Sequence, residues 1–232
     1  YQYLIDNLPY LHTDCESVLI LAGDICNFHN WNTYNNILEY IKDRFYKVIM
    51  IPGNHEYYAS DIYDGKYKFL DYYLKYNNYS FLDNGYEVID DVLFIGSTLW
   101  TNFNNNNLET KRIVQYSLND YNQIKYKNTY ITPELIYSIN QQNIKYIDDT
   151  LNYFKNNLSL TKIDKIVVIT HHAPSMKSVH NRFIDAGLIN YGFCQDLDWL
   201  VTKHSPTYFI HGHCHNSMWY KIGTTQVACN PV

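Results

Sequence analysis

No stretch of this 232-residue sequence approaches the roughly 18–20 consecutive apolar residues that a membrane span needs, so no membrane partner is expected. Nor is there a cluster of Lys and Arg. Eighteen basic residues face 23 acidic ones, for a net charge of −5, and neutralising a row of phosphates takes a concentrated positive patch. Duplex nucleic acid is therefore not an expected partner. No C-x-x-C pair occurs among the five cysteines (Cys15, Cys26, Cys194, Cys214 and Cys229), and the odd set argues for reduced thiols and a cytoplasmic location. Neither an initiator methionine nor a signal peptide opens the chain, which starts at Tyr1 and stops abruptly at Asn230-Pro231-Val232. The expectation is one domain over residues 1–232, with no internal repeat or linker, lacking its first strand and its last few residues.

What the chain does have is enough apolar material for a core: 46% hydrophobic against 18% charged residues excludes wholesale disorder. Its 25 tyrosines are scattered through every kind of segment, and with the Asn104–Asn107 tract they read as coding bias rather than chemistry. Short apolar runs at Val18–Leu21, Val48–Ile51, Ile166–Ile169 and Tyr208–Ile210 predict buried strands. Between them come helical patterns, with Tyr34, Ile37, Leu38, Ile41 and Phe45 on one face and Tyr63, Tyr67, Leu70 and Leu74 on another. Asp83-Asn84-Gly85 reads as a hairpin turn, followed by a second at Asp90-Asp91. Residues 101–132 are polar and aperiodic, which predicts a long surface excursion. Thr132-Pro133 then opens a long helix with Ile144, Ile147, Leu151, Phe154 and Leu158 inward. The alternation is that of an α/β fold.

Ligand-type residues stand just beyond these apolar runs: Asp24, Asn54-His55, His171-His172, and His213 with His215. In open α/β sheets the carboxyl ends of strands are where ligands bind. Carboxylate, amide oxygen and imidazole together suit borderline divalent ions such as Mn, Fe, Zn, Ni or Co. Of the adjacent pair, His171 fits a strand-end ligand better, which leaves His172 as a supporting or phosphate-contacting residue. His211 reads equally as a core hydrogen-bonder or a substrate contact, while His12, His29 and His204 read as surface residues. His180 and Arg182 fall in the loop after His171, where a phosphate-binding group has room.

In order, Gly23-Asp24-Ile25-Cys26-Asn27, Gly53-Asn54-His55-Glu56, His171-His172 and Gly212-His213-Cys214-His215 resemble the signature of the calcineurin-like metallophosphoesterases over residues 18–229. The resemblance implies an αββα four-layer sandwich with two mixed β-sheets. It also implies a hydrolase of phosphomonoesters or small phosphodiesters that uses two divalent metal ions. Asp24 would bridge the metals, Asn54, His171 and His213 would ligate one, and His215 would help hold the other. His55 would be catalytic, acting on the leaving oxygen, and a metal-bridging hydroxide would attack phosphorus.

Two departures stand out. No D-x-H, the family's first motif, occurs among the 22 residues before Gly23 or anywhere else. Asn27 stands where many relatives carry an Asp that orients the catalytic histidine, and an amide cannot stabilise an imidazolium by charge. The first departure favours a non-catalytic binding scaffold, while the intact His55, Asn54, His213 and His215 favour an enzyme. A nuclease is disfavoured by the acidic charge.

Overall fold

The computed structural model describes residues 8–67, 70, 76–157 and 162–231. Each apolar run becomes a strand: β1 (Val18–Ala22), β2 (Lys47–Ile51), β3 (Tyr79–Phe81), β4 (Gly85–Ile89), β5 (Val92–Ser97), β8 (Lys165–Thr170), β9 (Tyr208–His211), β10 (Met218–Ile222) and β11 (Thr225–Cys229). A two-residue pair, β6 (Lys125–Tyr126) and β7 (Thr129–Tyr130), forms a separate ribbon. Strands β1, β2 and β3 pair in parallel in that order. The second sheet runs β10-β11-β9-β8-β5-β4, parallel through its centre and antiparallel at both margins.

Side-chain alternation along the strands explains the layering. Ile49 and Ile51 of β2 face Phe94 of β5 and Val167 and Ile169 of β8, so this cluster is the seam between the two sheets. Val48 and Met50, one residue out of step, point the other way into Tyr34, Ile37, Leu38 and Ile41 of helix α1 (Trp31–Ile41). On the outer face of the large sheet, Leu93, Ile95 and Val168 meet Ile147, Leu151 and Phe154 of helix α4 (Pro133–Asn156). Helix, sheet, sheet and helix are thus stacked as expected. Thr132 caps α4, its side chain accepting from the Leu135 N–H at 3.3 Å, with Pro133 at the first turn. Leu158 and Leu74 lie outside the described residues.

Four expectations need correction. Asp83-Asn84-Gly85 is not a hairpin turn: it carries the chain from β3 in one sheet to β4 in the other, and the hairpin turns at Asp90-Asp91 between β4 and β5. Residues 101–132 are not a bare surface loop. They form α2 (Leu108–Ser117), α3 (Asp120–Gln123) and the β6–β7 ribbon, and they bury Phe103, Val114, Tyr121, Ile124 and Ile131. Their apolar residues are spaced too irregularly for a periodicity test, because each short element buries only one or two. Nor is the asparagine tract incidental. Phe103, Asn104, Asn105 and Asn106 have φ of 51°, 52°, 55° and 68°, a complete left-handed turn. Asn is the non-glycine residue that adopts this conformation most readily. His204, expected at the surface, is buried with Nε2 2.6 Å from Asp148 Oδ1.

Candidate metal centre

Within each sheet the relevant strands run parallel, so their carboxyl ends emerge on one edge. β1 delivers Gly23-Asp24, β2 delivers Pro52-Gly53-Asn54, β8 delivers His171-His172, and β9 delivers Gly212-His213. The loops close to near contact. A Cβ on Gly23 would lie 2.5 Å from His171 Nδ1, and one on Gly212 would lie 2.4 Å from the Ala22 carbonyl, so only glycine permits either approach. Gly23 (φ 83°), Asp24 (φ 57°) and His213 (φ 59°) are all left-handed. Two non-glycine residues held there at adjoining strand ends mark a place where the fold imposes conformation for a purpose other than stability.

Hydrogen bonds orient each donor atom. The His171 Nδ1–H donates to the Ala22 carbonyl at 2.8 Å, which leaves Nε2 as a lone pair. That lone pair lies 3.0 Å from Asn54 Oδ1, 3.2 Å from Asp24 Oδ2 and 3.0 Å from His213 Nδ1. The Asn54 amide is fixed in turn, because its Nδ2 donates to Asp120 Oδ1 at 2.7 Å. Asp120 is buried and also accepts from the Tyr58 hydroxyl at 2.8 Å. Carboxylate oxygen, amide oxygen and two ring nitrogens therefore converge around His171 Nε2, and the ligand atoms of Asp24, His171 and His213 all lie within 4.8 Å of one another.

Converging lone pairs require positive charge. Without a metal, a proton on His171 supplies some of it. Burial pulls that pKa down, but the Asp24 carboxylate outweighs burial and holds it at about 9. Burial likewise opposes ionisation of Asp24, and His171 outweighs it to hold the carboxyl below its usual range. One proton satisfies one contact among four acceptors, whereas a divalent cation satisfies all four, and this oxygen and imidazole set is the one borderline divalent ions take. His213 Nε2 is buried with no partner among the described residues, and the ring packs on Phe193 (4.9 Å, 28°) and His172 (4.3 Å). The residues fit a divalent metal.

A buried carboxylate that sequence reasoning passed over holds the loops together. Glu56 Oε2 accepts from the backbone N–H groups of Asp24 and Gly53, both at 2.7 Å. Its Oε1 accepts from Ile25 at 2.7 Å, Cys26 at 3.1 Å and the Tyr34 hydroxyl at 2.9 Å. One carboxylate thus ties the β1 loop, the β2 loop and α1 into a unit, while burial and the neighbouring Asp24 charge push its pKa up. Only its place in Gly53-Asn54-His55-Glu56 hinted at this. Asp120 had no sequence signal, because it lies in the segment read as a surface loop.

The other expected residues divide. His55 is exposed, its ring stacked on Tyr58 at 4.4 Å and its backbone N–H donating to Asp24 Oδ1 at 2.9 Å. His215 is exposed and stands outside the convergence, on the wall of an adjoining cavity. Asn27 Oδ1 accepts from the Asn30 N–H at 3.0 Å, capping the turn before α1, and among the described residues no hydrogen bond joins it to His55. His172 is buried behind the site with Nδ1 3.3 Å from the Thr98 carbonyl, and burial drops its pKa to about 3. His211 is a core hydrogen-bonder. Its Nδ1–H reaches the Gly212 carbonyl at 2.9 Å, and its Nε2 meets Ser178 Oγ at 2.8 Å.

A family model for the calcineurin-like phosphoesterases matches residues 2–217. An uncharacterised protein of Acanthamoeba polyphaga mimivirus is 30% identical over 225 residues, spanning 91% of this chain and 76% of its own length. Among solved structures, the phosphopantetheinyl hydrolase of Mycobacterium tuberculosis matches with a TM-score of 0.71 at 16% identity, over 100% of this chain and 83% of that one. At that identity the likeness is one of fold.

Proposed function

The chain belongs to the calcineurin-like phosphoesterase family, and from that premise we propose that it hydrolyses a phosphomonoester or small phosphodiester with the help of divalent metal. The observation that carries this reading is the convergence of four metal-ligand groups, the Asp24 carboxylate, the Asn54 amide oxygen and the His171 and His213 ring nitrogens, on one point. These four residues would hold one ion. A second ion would share Asp24 and take His215, and two donors hold such an ion less well than four. When bound, the metal supplies Lewis acidity at the phosphoryl oxygens and lowers the pKa of a water nucleophile.

The chain's own residues do the rest. His171 is locked in one tautomer by the Ala22 carbonyl, and Asn54 in one rotamer by Asp120, so the ligand atoms are in place before metal arrives. His55 presents its ring to solvent beside Asp24, on the Tyr58 face, where it can hydrogen-bond or protonate a departing oxygen. Asn27 is committed to the turn, so it does not orient the His55 ring. That arrangement suits leaving groups that need little protonation.

The position of His215 outside the convergence favours a second reading, a metal-binding scaffold with no turnover. One assay separates the two. Protein loaded with Mn is incubated with p-nitrophenyl phosphate and bis(p-nitrophenyl) phosphate. The enzyme reading expects hydrolysis that disappears on chelation and in His213→Ala. Metal bound without turnover of either ester would count against the enzyme reading.

A further inference from the structure

Beside the metal ligands lies a cavity of about 450 Å3, within the roughly 300–1,000 Å3 of small-molecule sites. Its wall is the segment from Ser178 to Cys194 together with the loop His213–Met218. Phe193 joins the two sites, since one face of its ring lies on His213 and the residue also lines the cavity. A molecule filling this space therefore sits against a residue that would hold the metal.

The chemistry of the lining selects the occupant. Val179, Phe183, Ile189, Phe193, Cys194 and Met218 make it apolar. Polar side chains are present, and several are already held by the fold. Ser178 Oγ is shared between His211 Nε2 and the Tyr220 hydroxyl at 2.8 and 2.6 Å. Asn190 Nδ2 donates to the Phe183 carbonyl at 2.8 Å, closing the segment on itself. His180 Nδ1 accepts from the Arg182 backbone N–H at 3.3 Å, and the Arg182 guanidinium lies over the Phe183 ring at 4.5 Å. A sugar or nucleobase would bury several hydrogen-bonding groups against this mostly apolar wall, at a cost for each one left unpaired. An aromatic hydrocarbon group demands none. Phe183, on the cavity wall, is 46% exposed and its neighbour Ile184 59% exposed, so this segment keeps apolar side chains facing solvent.

We infer that the cavity is the subsite for the organic half of the substrate, and that it takes an aryl or arylalkyl group linked to the phosphate. This rests on the metal-dependent reading above. It narrows that reading from phosphoesters at large to those whose alcohol is apolar and ring-sized, and it disfavours glycerol, sugar and nucleoside phosphates.

The test uses non-hydrolysable ligands, so that it does not depend on turnover. Naphthylmethylphosphonate and methylphosphonate are titrated by calorimetry into the 232-residue protein, with Mn and with EDTA. The expected result is Mn-dependent binding of both, with the naphthylmethyl compound tighter by about 10–100-fold, the preference that burying a bicyclic ring gives. Ile189→Trp, which fills the cavity, should collapse that ratio toward unity; if it fails to fold, Met218→Phe serves the same purpose. Equal affinities in the Mn-loaded protein overturn the aryl subsite and leave the metal reading standing. Tight naphthylmethyl binding that ignores EDTA yet is lost in Ile189→Trp upholds the subsite and removes the metal reading. No binding of either compound removes both.

Discussion

Replacing Glu56 with glutamine exchanges one oxygen for an NH2 group and alters nothing else in shape. Its two oxygens currently receive five donors: Asp24 and Gly53 N–H on Oε2, and Ile25 N–H, Cys26 N–H and the Tyr34 hydroxyl on Oε1. Whichever way the new amide rotates, two backbone N–H groups then face a donor, because only the Tyr34 hydroxyl can turn to accept. A buried N–H left without an acceptor costs about 1–3 kcal/mol, so the pair costs about 2–6 kcal/mol. That is a large fraction of the roughly 5–15 kcal/mol by which ordinary domains are stable. The affected amides belong to the turns that carry Asp24 and Asn54, so metal affinity should fall along with stability, by about 10–100-fold. Urea unfolding followed by circular dichroism reads the first quantity and calorimetric Mn titration the second. A Glu56→Gln protein within about 1 kcal/mol of wild type, with unchanged Mn affinity, would refute the claim that this carboxylate fixes the site.

Further expectations concern the neighbours. Asp120→Ala frees the Asn54 amide to rotate and should weaken Mn binding by about 10–100-fold in a folded protein, as calorimetry will read; unchanged affinity would mean that Asn54 is oriented by something else. His55→Ala should lower kcat by about 10²–10⁴ with metal content unchanged by elemental analysis. Loss of metal along with activity would instead make His55 a ligand. At Asn106, φ 68° penalises any side chain with an ordinary Cβ, so Asn106→Ala should cost about 1 kcal/mol in urea unfolding, while Asn106→Gly stays near wild type. Equal stability of the two variants would show that the left-handed turn relaxes.

Strands and their layering were legible in the sequence because burial on both faces leaves unbroken apolar runs, and Val18–Leu21, Val48–Ile51 and Ile166–Ile169 are such runs. Asp24, Asn54, His171 and His213 were legible because each follows a run that ends abruptly, and parallel strands bring such ends together. The supporting layer was not. Asp120 acts over a separation of 66 residues from a one-turn helix that has no periodicity of its own. Glu56 looks like one more charged loop residue until its burial and five partners are seen. Asn27 occupies the motif position of a histidine-orienting carboxylate, yet its side chain caps a turn, a local use that competes readily for Asn. Asn104–Asn106 looked like compositional noise because a left-handed turn repeats one residue type for a backbone reason that hydrophobic patterning does not record.

The central claim is that Asp24, Asn54, His171 and His213 together hold a divalent ion. The most direct test is a Co2+ titration of the metal-free protein followed by visible d–d absorption, which reports ring-nitrogen coordination at the metal itself. The account predicts a band that saturates near one tight equivalent. The band should be lost in folded His171→Ala and His213→Ala proteins and kept in His204→Ala, whose imidazole is bonded to Asp148 instead. A titration that is the same in wild type, His171→Ala and His213→Ala would contradict it.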